Sequence, residues 1–317
     1  MATAVVGYHR PRVVKFLTFL QNQHMAAPGR VGKTLREIPF VKMTGSGNDF
    51  VFFDGRRVDA QALRQGQNIR EICDRHDGIG ADGLVILETL APRESDDRPV
   101  VQISYFNSDG SPADLCGNAT LCSTALSLEF GMASSDAVLL QTPSGRITGR
   151  LVDGVPEIAL PAVKAPTADC DVARLPGELR IGFASVGIPH LVVLCEDARL
   201  ADLPARGPVL RWHAAVGPAG ANVNWVSRQP DGSWRYRTFE RGVEGETLAC
   251  GTGAVATAML LAAWQLSEPP TTLQTSSGRS VVVTNGATDG TNWAPRLRGE
   301  GRVVFRGTLD ELKGSRA

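Results

Sequence analysis

Leu140-Gln141-Thr142-Pro143-Ser144-Gly145-Arg146 returns later in the chain as Leu273-Gln274-Thr275-Ser276-Ser277-Gly278-Arg279, at an offset of 133 residues. Working outward, Cys116-Gly117-Asn118-Ala119-Thr120 answers Cys250-Gly251-Thr252-Gly253-Ala254, and Phe106-Asn107 answers Phe239-Glu240. Further upstream the offset becomes 140. There Gly47-Asn48-Asp49-Phe50-Val51-Phe52 aligns with Gly187-Ile188-Pro189-His190-Leu191-Val192, and Gly80-Ala81-Asp82 with Gly220-Ala221-Asn222. Anchors that recur in one order, with a small insertion between them, mark a duplicated unit. The expected organisation is two similar domains, 37–160 and 161–300, related by a pseudo-twofold axis.

Both halves read alike. Strand-like runs come first, at Val51–Phe53, Leu84–Leu87 and Val100–Phe106, then at Leu191–Leu194, Val223–Val226 and Trp234–Phe239. A loop ending in Cys-Gly follows, and then a helix. The second helix, near Gly253–Gln265, is so rich in Ala, Val, Met and Leu that it lacks a polar face, which predicts burial on all sides. Strands resume at Val281–Thr284 and Arg302–Phe305. Strands before and after a buried helix suggest a curved sheet wrapped around it, an α/β protein of the α+β type rather than an alternating βαβ fold.

The 317 residues carry a formal net charge of zero, which argues against nucleic acid or an anionic membrane as partner. No apolar run approaches the ~20 residues of a membrane-spanning helix, so a cytoplasmic location is expected. The partner indicated is a small molecule, with a homodimer left open. The six cysteines form no CxxC pair and no cluster with zinc-ligand spacing, so reduced thiols and no metal are expected. Residues 1–36 contain Arg10, Arg12, Lys15, Arg30, Lys33 and Arg36, and the only acid near them is Glu37, just beyond. Arg10-Pro11-Arg12 would interrupt the amphipathic helix of a transit peptide. This segment reads as a disordered or non-native extension, and 310–317 as a tail.

Any one of these cysteines, taken alone, reads first as a small buried hydrophobe. Cys116 and Cys250 differ because the repeat places both just before a helix, followed by Gly117 and Gly251 and then by cap-type residues, Asn118 and Thr252. A helix N-terminus offers unpaired N–H groups and the positive end of the dipole. Both lower a thiol's pKa and attract a carboxylate. Pseudo-twofold symmetry would bring the two thiols face to face across one cleft. That arrangement suits inversion of an amino-acid α-carbon: a thiolate removes the proton from one face, a thiol returns one to the other, and no cofactor is needed. A rival reading takes Gly251-Thr252-Gly253-Ala254-Val255-Ala256 as a dinucleotide fingerprint, but no βαβ unit surrounds it.

Lys42-Met43-Thr44-Gly45-Ser46-Gly47-Asn48-Asp49-Phe50, Phe106-Asn107-Ser108-Asp109-Gly110-Ser111, Leu115-Cys116-Gly117-Asn118 and Glu240-Arg241-Gly242 with Ala249-Cys250-Gly251-Thr252-Gly253 resemble the signature blocks of diaminopimelate epimerases, in order over about residues 38–309. The resemblance implies two domains, each a barrel-like, mainly antiparallel sheet around a central helix. The active site would lie between them, and the last strand (about 301–309) can return to the first domain. It implies reversible epimerisation of LL- to meso-2,6-diaminopimelate without pyridoxal phosphate or metal, on the route to lysine and peptidoglycan. Cys116 and Cys250 match the proton-exchanging pair, and Gly117, Asn118, Gly251 and Thr252 the holders of the reacting carboxylate. Asn48, Asn107, Asn222 and Arg241 match substrate contacts. Glu240 matches a residue near the second cysteine that also meets a substrate amino group, and His190 a histidine near the first, where it would help generate the thiolate.

Two positions depart from that family pattern: Ile188 stands where most members have asparagine before Pro-His, and Gly83 where many have glutamine. The alternatives are a racemase of the same fold acting on another amino acid, such as histidine or hydroxyproline, and a non-catalytic binding protein on the same scaffold.

Overall fold

A computed structural model describes residues 36–91, 93, 96, 98–113, 116–133, 137–286 and 292–312. Residues 1–35 and 313–317, and with them nearly all of the leader and most of the tail, lie outside the described residues. The first half opens with strands β1 (Arg36–Gly45) and β2 (Asn48–Asp54), short helices α1 (Ala60–Leu63) and α2 (Gly66–Cys73), and strands β3 (Gly83–Leu90) and β4 (Val100–Asn107). Helix α3 (Gly117–Glu129) follows, then β5 (Ala137–Thr142), β6 (Gly145–Val152), β7 (Val155–Ala159) and the short β8 (Val163–Lys164). The second half runs β9 (Glu178–Val186), β10 (Ile188–Cys195), α4 (Leu203–Arg211), β11 (Asn222–Arg228), β12 (Trp234–Glu240) and β13 (Gly245–Thr247). Helix α5 (Gly251–Ala263) leads into β14 (Thr271–Gln274), β15 (Ser280–Asn285), β16 (Asn292–Trp293), β17 (Pro295–Arg298) and β18 (Arg302–Glu311).

The pairings repeat. From β1 to β7 the neighbours are antiparallel, parallel, antiparallel, parallel, antiparallel and antiparallel. From β9 through β10, β11, β12, β14 and β15 to β17 the same series recurs. β7 and β17 pair antiparallel and join the two series into one sheet. β18 crosses back to pair with β1, from Arg36↔Glu311 to Thr44↔Arg302. Arg36 therefore belongs to the sheet rather than to the leader, and the last strand runs two residues past the expected end.

Each half wraps its sheet around one helix. α5 is buried along almost its whole length, as its apolar sequence requires. α3 is buried nearly as deeply despite its hydroxyls. Thr120, Ser123 and Thr124 donate back to the carbonyls of Cys116, Ala119 and Thr120 at 2.8–2.9 Å, so these polar groups enter the core with partners. Close approach of helix to sheet depends on missing β-carbons. One on Gly149 would stand 2.3 Å from Thr124 Oγ1, and one on Gly182 2.4 Å from Leu260 Cδ2. Among the described residues no helix is long and apolar enough to cross a membrane.

Candidate active site

The two long helices meet at their N-termini. A β-carbon on Gly117 would lie 3.6 Å from Gly251 Cα, and one on Gly251 3.6 Å from Gly117 Cα. Leu297 of β17 packs beneath both. Cys116 and Cys250, one residue earlier, are therefore neighbours across this contact. They are themselves the helix caps, with near-identical extended backbones (φ −127°, ψ 114° and φ −125°, ψ 107°). This corrects the expectation that Asn118 and Thr252 would cap: both lie inside the first turn.

The environment of Cys250 is built from β11, β12 and α5. Its Sγ accepts from Gly253 N at 3.4 Å and Asn222 Nδ2 at 3.7 Å, and Thr252 Oγ1 stands 3.6 Å away. The Tyr236 hydroxyl donates to Cys250 O at 3.0 Å and accepts from Cys250 N at 3.4 Å, fixing the backbone that carries the thiol. Asn222 also accepts from Arg241 N through its Oδ1 at 2.9 Å. Cys116 caps its helix with no side-chain hydrogen bond, and the Ala119 and Asn118 N–H groups and the Tyr105 phenol act on its thiol electrostatically.

Burial pushes the Cys116 thiol up to about 11 and the Cys250 thiol to about 12. In both, Glu240 raises the value further, while the surrounding donors pull it down without prevailing. The depressed thiol pKa expected from the helix ends is thus overturned, because loss of hydration outweighs the dipole. Glu240 is itself raised by burial. Its charge reaches both thiols.

On the other side of the cleft, Asn118 Nδ2 donates to Asn48 Oδ1 at 2.7 Å and to Ala249 O at 3.4 Å. Asn48 Nδ2 in turn donates to Asp82 Oδ2 at 3.0 Å. Arg75 bonds Asp82 at 2.7 Å and grips Asp49 at 2.8 and 3.1 Å, while Lys42 pairs with Asp49 at 2.7 Å. Burial would raise the Asp49 carboxyl, but the Arg75 and Lys42 contacts together hold it at about 2. Asp82, Arg75, Tyr105 and Tyr236 were not singled out from sequence. The only available hint for Asp82 was its alignment with Asn222, whose side chain meets Cys250.

His190 is fully buried. Asn224 Nδ2 donates to Leu191 O at 3.0 Å and reaches His190 Nδ1 at 3.2 Å, while Asn224 Oδ1 accepts from Thr238. A carbonyl can only accept, so the amide is oriented, His190 Nδ1 is the acceptor, and the proton rests on Nε2. That Nε2 has no partner among the described residues. Burial and then Arg241 lower the imidazole to about 3. It is a poor proton acceptor and a ready N–H donor, unlike the thiolate-generating histidine expected. Asn107 ends β4 exposed, and its side chain bonds Ser111 Oγ at 3.1 Å within its own turn. Asn118 Oδ1 is another buried atom without a partner among the described residues.

The family model described as diaminopimelate epimerase matches residues 40–157 and 182–292. A diaminopimelate epimerase of Gemmatimonas aurantiaca is 58% identical over 281 residues, 86% of this chain and 99% of the relative. One from Aquifex aeolicus is 34% identical over 228 residues, 70% of this chain and 80% of the relative. The solved hydroxyproline epimerase of Agrobacterium vitis superposes with a TM-score of 0.58 at 18% identity, over 89% of this chain and 96% of that one, which speaks to the fold. With the family model matched across both halves and a relative this similar over almost its entire length, the chain belongs to the diaminopimelate epimerase family.

Proposed function

We propose that the chain is an isomerase that interconverts LL- and meso-2,6-diaminopimelate in lysine biosynthesis, with Cys116 and Cys250 as the two proton carriers. The observation that carries this reading is the back-to-back contact of Gly117 and Gly251, which makes neighbours of two thiols capping equivalent helices. One half of the chain, 37–160, supplies the first thiol and the other, 161–300, the second. A cytoplasmic setting suits two thiols that must stay reduced.

In the proposed reaction, one cysteine as thiolate takes the α-proton. An S–H bond forms, the Cα–H bond breaks, and the electron pair moves into the α-carboxylate. The opposite thiol then gives its proton to the other face, so its S–H bond breaks and a new Cα–H bond forms. The enzyme ends with its two protonation states exchanged, and the reverse reaction restores them. Backbone N–H groups at Gly117-Asn118 and Gly251-Thr252 would receive the carboxylate as its charge grows. Asn118 Oδ1 and His190 Nε2, buried without partners among the described residues, are an acceptor and a donor left for substrate. Glu240 would meet the α-ammonium, and Asn48, Asn107, Asn222 and Arg241 the remaining polar groups. Neutralising Glu240 with a substrate cation would ease ionisation of a thiol that burial otherwise keeps protonated.

The test is incubation with LL-diaminopimelate in D2O under reducing conditions. Deuterium should enter the α-position as meso isomer accumulates. No exchange with this substrate, but exchange with histidine or hydroxyproline, would replace the substrate and keep the chemistry. No exchange with any amino acid would favour a binding protein.

A further inference from the structure

We infer that Ser277 is the positioning residue for Asn48, clasping the turn that carries Asn48 to the second half of the chain beside Cys250. This rests on the reading of Asn48 as a substrate contact. Ser277 belongs to the second copy of the repeated motif, in the turn between β14 and β15. Its Oγ lies 2.7 Å from the carbonyl oxygen of Ser46. A carbonyl can only accept, so the Ser277 proton is committed to that bond. Thr275, fully buried, stands behind it with Oγ1 at 2.7 Å, and is then the donor to Ser277, sharing its proton with Arg279 O at 3.0 Å. Ser277 N donates to Leu248 O at 3.1 Å, two residues before Cys250. This one residue therefore holds the Ser46 turn by its side chain and the segment leading to Cys250 by its backbone.

The turn before Asn48 is shaped for this contact. Ser46 is fully buried and sits at φ 54°, followed by Gly47 at φ 113°. A non-glycine residue keeps such a backbone only where its surroundings hold it there. A β-carbon on Gly47 would stand 2.6 Å from Ser277 Cβ and 3.2 Å from Leu248 Cβ, so the turn lies flush against both. Asn48, the next residue, accepts from Asn118 Nδ2, which also donates to Ala249 O. The stretch leading to Cys250 is thus tied to the first half twice, at Ala249 through Asn118 and at Leu248 through Ser277. The first copy of the motif is used differently. Its Ser144 is exposed, and Thr142 Oγ1 closes its own turn on Gly145 O at 2.8 Å.

Ser277→Ala removes the hydroxyl and leaves the backbone bond to Leu248. Deuterium uptake by the backbone amides of residues 42–50, read by mass spectrometry of the free enzyme, should quicken about three- to tenfold, as expected for losing one neutral hydrogen bond. The melting temperature should be retained. KM for diaminopimelate should rise by a similar factor with kcat nearly unchanged, because a substrate contact is displaced while the thiols are not. On an Asn48→Ala background the same substitution should add less than about twofold, since its effect passes through Asn48. Unaltered uptake, a fall in kcat without a rise in KM, or losses that simply add would each overturn the role of Ser277. Faster uptake in a chain that epimerises no diaminopimelate would support the clasp and count instead against the substrate.

Discussion

Gly117 and Gly251 lie back to back, each 3.6 Å from the point where the other would carry a β-carbon, and the two thiols are held together through this contact. Their tolerance to alanine is unequal. The added methyl on Gly117 meets Leu297 Cδ2 at 3.4 Å, an ordinary contact, whereas on Gly251 it meets the same atom at 2.8 Å. Leu297 is fully buried and has little room to move. Gly251→Ala should cost about 1–3 kcal/mol through overpacking and spread the helix ends, lowering kcat more than Gly117→Ala does. Thermal melts alongside steady-state kinetics check both; equal effects would mean that Leu297 adjusts freely.

Cys116→Ala and Cys250→Ala should each abolish epimerisation, by at least about 10³-fold, since one proton carrier is missing in either direction. Circular dichroism should still report the native fold, because alanine is well tolerated as a small buried residue. A single variant that retains substantial epimerase activity would rule out the two-thiol scheme.

The legibility of this fold followed the chemistry of its residues. The burial of α5 could be read directly, because Gly253–Leu261 has almost no polar side chain. α3 could not, because its hydroxyls look solvent-facing until Thr120, Ser123 and Thr124 are seen to bond the preceding turn. The cysteines were legible through duplication, which turns two ordinary thiols into an aligned pair. Asp82 and Arg75 were not. Asp82 reaches Asn48, and Arg75 reaches Asp49, across the β2–β3 parallel pairing, contacts between residues far apart in sequence. Gly83 read as a lost polar contact. The structure shows Tyr105 lying against it, a substitution invisible until strand register sets the two side by side. The tautomer of His190 was not legible, since only its bond to Asn224 fixes it.

The Lys42–Asp49–Arg75–Asp82 cluster makes acid stability testable. Asp49 is held at about 2 in the folded protein, against about 3.9 for an unfolded aspartate. A folded-state pKa below the unfolded one contributes stability that is complete above about pH 4 and lost as pH falls through 2. Asp49→Asn should therefore destabilise at neutral pH by about 2 kcal/mol, a figure discounted for partial solvent screening. Near pH 2 the difference from wild type should vanish. Denaturant melts of both proteins at several pH values provide the measurement; a constant gap down to pH 2 would mean Asp49 does not titrate as proposed.

The pH dependence of catalysis separates the thiols from His190. With Cys116 at about 11 and Cys250 at about 12 in the free enzyme, only a small fraction carries one thiolate at neutral pH. kcat/KM reports the free enzyme, so it should climb about tenfold per pH unit on the rising limb and continue well into the alkaline range. The limb reports the first thiol to ionise, and Glu240 raises both. It should turn over only where the second thiol also ionises and no acid remains. His190, lowered to about 3, is neutral throughout and should leave no inflection near 6.5. His190→Asn should accordingly reduce the rate at every pH without changing the shape of the profile, as expected for loss of an N–H donor. An inflection near 6.5 in the wild-type enzyme that disappears in His190→Asn would show instead that the imidazole gains and loses its proton during catalysis, restoring the role of a base to this residue.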